Sequence, residues 1–230
     1  VDEKEALSKV WELWTSERRD EIAPLVESEG TETDILKRYL SLQNHVHWEK
    51  KDLEAVLALS RFAVEFARRA GNKEAENVIL FNVASFTLPW WSDSLQATPW
   101  FRDQGLSAAR RIISLRKDLG KSPVDVSQGH WILGAHHLYR GDVPDAVFHF
   151  NRSLALAREA GDKNLEASAL EGLGRTRVRL VPDDRDWGFE SLGEARALYG
   201  EAGDAFNLKE VERFLGEPPS SGEPPAAEPA

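Results

Sequence analysis

The sequence predicts an all-α chain built as an α-solenoid, a stack of antiparallel helix hairpins. Three observations carry that expectation. Ala, Leu, Glu and Arg abound while continuous runs of β-branched residues are scarce, a balance that favours helix over strand. Gly and Pro are sparse through the body, and five of the 11 Pro fall in the last 14 residues. Near-identical punctuation recurs as Ala70-Gly71-Asn72, Ala160-Gly161-Asp162 and Ala202-Gly203-Asp204, with Asp118-Leu119-Gly120-Lys121 as a degenerate copy. The glycines at 71, 120, 161 and 203 are spaced by 49, 41 and 42 residues. Each closes a strongly helical segment, where glycine supplies the left-handed residue on which helices commonly end. A single hairpin cannot bury its apolar face alone, so hairpins of this kind stack.

Taken in order, residues 1–30 form a leading hairpin. Its first helix carries an apolar stripe at Leu7, Val10, Trp11 and Trp14, and its second carries Ile22, Leu25 and Val26. A solenoid over residues 31–216 comes next, with units at about 34–72, 73–121, 122–162 and 163–204 and a capping helix at 205–215. The third unit is the clearest. A helix from about Val124 to Tyr139 meets the turn Arg140-Gly141-Asp142, and a second helix runs from about Pro144 to Glu159. On that second helix Ala146, Phe150, Leu154 and Ala157 make one stripe. Gly134 and Ala146 let the two helices approach while Phe150 and Leu154 fill the groove, so Gly134→Leu is expected to overpack the hairpin. The first unit has Asn44 in place of Gly and Lys51-Asp52 at its turn. The second has Ala84 and then an insertion, Pro89 to Ala97, after which Thr98 caps a helix beginning at Pro99. The fourth keeps Leu173-Gly174 and turns through Val181 to Asp186. Residues 217–230 hold nothing apolar larger than Ala or Pro and are expected to be disordered.

The order and spacing of Leu133-Gly134, Gly141-Asp142, Ala146, Phe150 and Leu154 resemble the tetratricopeptide repeat. That resemblance implies a right-handed solenoid whose concave groove is the usual ligand surface. The period of about 41 exceeds the family's roughly 34 and resembles repeats with an extended second helix. The phrases Ala157 to Asp162 (AREAGD) and Leu138 to Asp142 (LYRGD) are similar to repeat regions of bacterial signalling and transcription regulators, where the array senses or docks. The chain has no Gly-Lys-Ser/Thr phosphate loop and no basic recognition helix, so this second resemblance assigns no residue a role.

Composition restricts the functional classes. A formal charge of −10 argues against binding duplex nucleic acid, which needs Lys and Arg to neutralise phosphates. With no Cys there is no disulfide framework, thiolate site or cysteine nucleophile. No apolar run approaches the roughly 20 residues of a membrane span. No basic segment followed by an apolar run opens the sequence, and a cytoplasmic setting is expected. The acidic cap and tail favour a monomer or weak dimer.

Anchoring each unit on its small residue, same-face neighbours define the groove. They are Ser41, His45 and Trp48 in the first unit, Phe81 and Ser85 in the second, Trp131 in the third, and Glu171 and Arg175 in the fourth. Such a surface is aromatic with a few polar handles, the form expected of a peptide or small-ligand site. Trp48, Phe81 and Trp131 fit an inter-repeat core equally well. Trp90 and Trp91 in the insertion suit a lid, a docking patch or a structural plug.

Metal and catalytic readings are weak. His45 and His47 stand two apart and His136 and His137 adjacent, so neither pair chelates from one helix face. His47 and His137 instead match core positions where packed, hydrogen-bonded side chains are expected. No Gly-x-Ser-x-Gly elbow is present. The arginine pairs at 18–19, 68–69 and 110–111 lie among acids and read as solvated faces. The expected function is therefore a non-catalytic scaffold that binds a peptide or protein partner and needs no cofactor. The alternatives are a sensor enclosing a small apolar or aromatic molecule beneath Trp90 and Trp91, and an enzyme using His45, Glu171 and Arg175.

Overall fold

The computed structural model of the chain describes residues 3–89 and 98–216. Trp90, Trp91, the rest of the insertion to residue 97, and the tail from 217 lie outside the described residues. Within them the chain is all-helical, with eleven α-helices and no strand. The leading hairpin is α1 (Glu3–Thr15) and α2 (Ile22–Glu27). The repeat helices are α3 (Glu32–His45), α4 (Leu53–Arg69), α5 (Lys73–Phe86), α6 (Pro99–Asp118), α7 (Pro123–Arg140), α8 (Val143–Ala160), α9 (Lys163–Leu180) and α10 (Arg185–Ala202), and α11 (Ala205–Gly216) closes the series. None of these helices is long and apolar enough to cross a membrane.

Local chemistry sets the boundaries. Thr31 and Asp34 form a reciprocal capping box at the start of α3. The side chains of Asp52, Asn72, Ser122 and Asp162 each accept the backbone N–H three residues on, capping α4, α5, α7 and α9. At the other ends the repeated glycines 71, 120, 161 and 203 all have positive φ, between 61° and 72°. The next N–H turns back onto the helix, as in Asn72 N–H to the Ala67 carbonyl at 2.8 Å and Asp162 N–H to the Ala157 carbonyl at 3.0 Å. Pro99 opens α6, as its position after Thr98 predicts.

The described helices fall into two compact units, residues 1–115 and 116–230. In the first, α1 and α2 share one apolar core with α3, α4 and α5, built on Val10, Trp14, Ile22, Tyr39, Leu42 and Leu59. Trp14 Nε1 donates to Asp52 Oδ2 at 3.0 Å, tying the leading hairpin to the cap of α4. In the second unit each helix packs against the next in sequence, and α7 also touches α9.

Small residues decide how closely these helices approach. Phe150 of α8 is fully buried, wedged between Gly134 of α7 and Gly172 of α9. A Cβ at Gly134 would stand 3.0 Å from the Phe150 ring, and one at Gly172 only 2.3 Å from it. Further along, α9 and α10 meet backbone to backbone: a Cβ at Gly174 would lie 2.8 Å from the Gly188 carbonyl oxygen. At Gly172 and Gly174 space itself requires glycine, independent of backbone conformation, whereas the contact at Gly134 is tight but leaves room for a small shift.

Candidate functional site

In the first unit two of the sequence-selected residues, His45 and Trp48, lie at the end of α3. There the helix widens into a π-helical turn, Val46–Lys50, and Lys51 exits with φ 55°. One π turn inserts an extra residue into the ladder and rotates the side chains beyond it, a device common at functional positions. The rotation drives His47 inward and Trp48 outward: His47 is 1% exposed and Trp48 55%. His47 stacks flat on Phe86 with centroids 3.8 Å apart, and Trp48 meets both rings edge-on, at 4.5 Å from His47 and 6.1 Å from Phe86. His45, just before this turn, is half-buried. On α5, Phe81 and Ser85 are likewise half-buried. Ser41 opens onto a pocket of about 30 Å³ between the leading hairpin and α3, the volume of roughly one water molecule.

The expectation that His47 is hydrogen-bonded needs correction. Neither ring nitrogen has a partner among the described residues. Burial alone pushes the imidazole down to about 4, so it stays neutral at physiological pH. His137, its counterpart in the second unit, does find partners: its Nδ1 lies 3.3 Å from Asp142 Oδ2 and 3.7 Å from Asp145 Oδ2. His130 Nδ1 and His149 Nδ1 are 2.9 Å apart, and burial, then the neighbouring His149 and Arg152, push His130 down to about 4. No group of three or more His, Cys, Asp or Glu among the described residues is arranged to hold a metal ion.

In the second unit Trp131, Glu171 and Arg175 are joined in one polar network. Trp131 Nε1 donates to the Ser168 carbonyl at 3.1 Å. The Tyr199 hydroxyl lies 3.0 Å from Ser168 Oγ and donates to Glu171 Oε2 at 2.9 Å. Arg175 Nη2 and Nε reach Glu171 Oε1 at 2.6 and 2.7 Å. The guanidinium sits 4.8 Å from the centre of the Phe214 ring on α11. Glu171 and Arg175 are only 3% and 5% exposed, so both point into the helix packing. Burial holds the Glu171 carboxyl above the ordinary carboxylate range, against the pull of Arg175 and Tyr199. His45 belongs to the other unit.

No protein-family model and no curated protein sequence matches this chain.

Two participants escape a sequence reading. Tyr199 and Phe214 complete the Glu171–Arg175 network from helices beyond any repeat spacing. The only sequence signal is Glu171 itself, a carboxylate inside the apolar run Ala169 to Leu173 that demands a donor without saying which. The second surprise is Glu76 of α5, 3% exposed. It accepts from Arg68 of α4 at 2.8 and 2.9 Å, and Arg111 of α6 reaches it at 3.2 and 3.3 Å. Arg68 and Arg111 are thus structural partners of a buried carboxylate, where the sequence suggests merely solvated faces. Burial alone would raise the Glu76 carboxyl, but the hydrogen bonds from Arg111 and Arg68 outweigh it and lower it.

Proposed function

We propose that the chain is a non-catalytic, tetratricopeptide-like interaction module, a right-handed solenoid that binds a peptide or protein partner through the aromatic face at the end of α3. One observation carries this reading: Trp48 stands 55% exposed, held against His47 and Phe86 rather than free in solvent. An exposed indole on a rigid aromatic base presents large apolar area at small entropic cost, the character of an interface anchor. Capped hairpins that pack in sequence order support the repeat assignment, and the left-handed glycines at 71, 120, 161 and 203 support the period. The setting we infer is cytoplasmic. Glu171 and Arg175 serve in this reading as packing partners, their side chains being spent on each other, on Tyr199 and on Phe214.

The test is a displayed library of short random peptides selected on the full chain, with each selected peptide then titrated against wild type and Trp48→Ala. Selected peptides should lose at least about tenfold in affinity on Trp48→Ala, about 1.4 kcal/mol. Peptides that bind both chains equally would remove this face from consideration.

A further inference from the structure

Along α11 the half-buried Leu208, Phe214 and Leu215 and the buried Val211 recur at spacings of three and four residues, and this side of the helix packs on α10 and α9. The other side, with Phe206, Lys209, Glu212 and Arg213, is exposed. Nine of the 18 residues of α9 and five of the 18 of α10 are buried, against Val211 alone of the 12 in α11. A helix of about 12 residues is marginal in water by itself, so its place on α9 and α10 is what keeps α11 helical.

The surface beneath α11 is assembled without it. Glu171 takes its hydrogen bonds from Arg175 of α9 and Tyr199 of α10, and removing α11 takes none of those bonds away. Phe214 lies against two guanidinium groups of α9, its ring centre 4.8 Å from Arg175 and 5.1 Å from Arg179. Another aromatic side chain set there would make the same cation–π contacts. α11 also brings a mismatch. Burial raises the Glu171 carboxyl, and the negative charge of Glu210 on α11 adds to that rise. A helix with the same apolar spacing and a neutral residue in place of Glu210 would meet this face without the repulsion.

We propose that this face of α9 and α10 is a docking surface for an amphipathic helix with an aliphatic and an aromatic side chain three residues apart, and that α11 occupies it in cis until a partner's helix displaces it. The surface belongs to the second unit and Trp48 to the first, and neither reading depends on the other.

Fluorescence anisotropy of a labelled peptide with the sequence of residues 204–216, titrated with the full chain, tests it. In wild type α11 competes with the peptide, and the apparent affinity falls with the fraction of molecules whose face is open. Phe214→Ala in the full chain weakens the competitor and should bind the peptide at least about tenfold more tightly than wild type does. Adding Trp48→Ala to that variant should change nothing. A peptide carrying Phe214→Ala should bind the variant at least about tenfold more weakly, and one carrying Glu210→Gln should bind it more tightly. In hydrogen exchange of the wild-type chain, α11 should open separately, its amides exchanging at least about tenfold faster than the core amides of α9 and α10. The proposal is overturned if wild type and Phe214→Ala bind the peptide equally, or if Trp48→Ala abolishes binding. It is also overturned if either peptide change lacks its stated effect, or if α11 exchanges together with α9 and α10. Unfolding of α9 and α10 in Phe214→Ala would overturn it too, since the face must stand without α11.

Discussion

His47 shows what one side chain can cost. Its ring is buried and stacked, yet both nitrogens lack partners among the described residues, so folding strips them of water with no return. His47→Phe keeps the stacking and removes the penalty, and should stabilise the protein by about 1–2 kcal/mol at pH 7 in urea melts. The same residue governs part of the acid limb. Its folded value of about 4 lies below the ordinary histidine value near 6.5, so between these pH values the unfolded chain binds the extra proton. Stability is therefore full above about pH 6.5 and falls as the pH drops toward 4. His130, also lowered to about 4, acts in the same window. The pH dependence should accordingly become shallower in His47→Phe without vanishing; an unchanged acid limb would mean that the imidazole is solvated. Glu171 poses the opposite problem, since its charge is matched. Glu171→Leu removes the carboxylate with which the buried Arg175 is paired and should cost about 3–5 kcal/mol, whereas the double change Glu171→Leu with Arg175→Leu should recover most of that loss. Denaturant midpoints of the two single changes and the double change decide it.

At the scale of elements, Phe150 and its two glycines set the spacing of α7, α8 and α9. An Ala in place of Gly gains up to about 1 kcal/mol of helix propensity, so the outcome depends on the clash. At Gly134 the new Cβ would meet Phe150 at 3.0 Å, a contact that a slight shift relieves, and Gly134→Ala should be close to neutral. At Gly172 the separation is 2.3 Å against a fully buried ring, and Gly172→Ala should lose about 2–3 kcal/mol. Phe150→Leu should shrink that second penalty, because the atoms in conflict are gone. Thermal melts of the three variants check the ordering. The hairpin itself was legible in the sequence: helix boundaries at 123–140 and 143–160 fall within a residue of those expected from the Gly141 and Gly161 turns. The ring's contact with Gly172 was not legible, because nothing in the spacing of α8 says which residue of α9 it meets.

For the whole molecule, stability should be distributed by unit. In stacked helices each element is held by its immediate neighbours, so damage stays near its origin. Gly172→Ala should lower hydrogen-exchange protection through α7 to α10 while the amides of α3 to α5 keep theirs. Equal loss in both units would show that the chain unfolds as one cooperative body. The two clusters of buried charge belong to this scale as well. Glu76 joins α4, α5 and α6 in one unit, and Glu171 joins α9 to α10 in the other.

By itself the sequence determined the helical class, the positions of the caps and turns, and the small-residue crossings within a hairpin. Caps and turns are settled by interactions across three or four residues, an N-cap oxygen reaching its third N–H or a glycine at positive φ. The crossings follow from small and large residues at helical spacing on two helices joined by a short turn. Tertiary structure alone decided which polar groups were buried and with whom. The π-helical turn that buries His47 and exposes Trp48, the convergence of Arg68 and Arg111 on Glu76, and the meeting of Tyr199 with Glu171 all join residues that are distant in the chain or rotated out of register. Periodicity places a residue on a face, but its partner is fixed only when helices pack and the cost of an unpaired buried charge selects one arrangement.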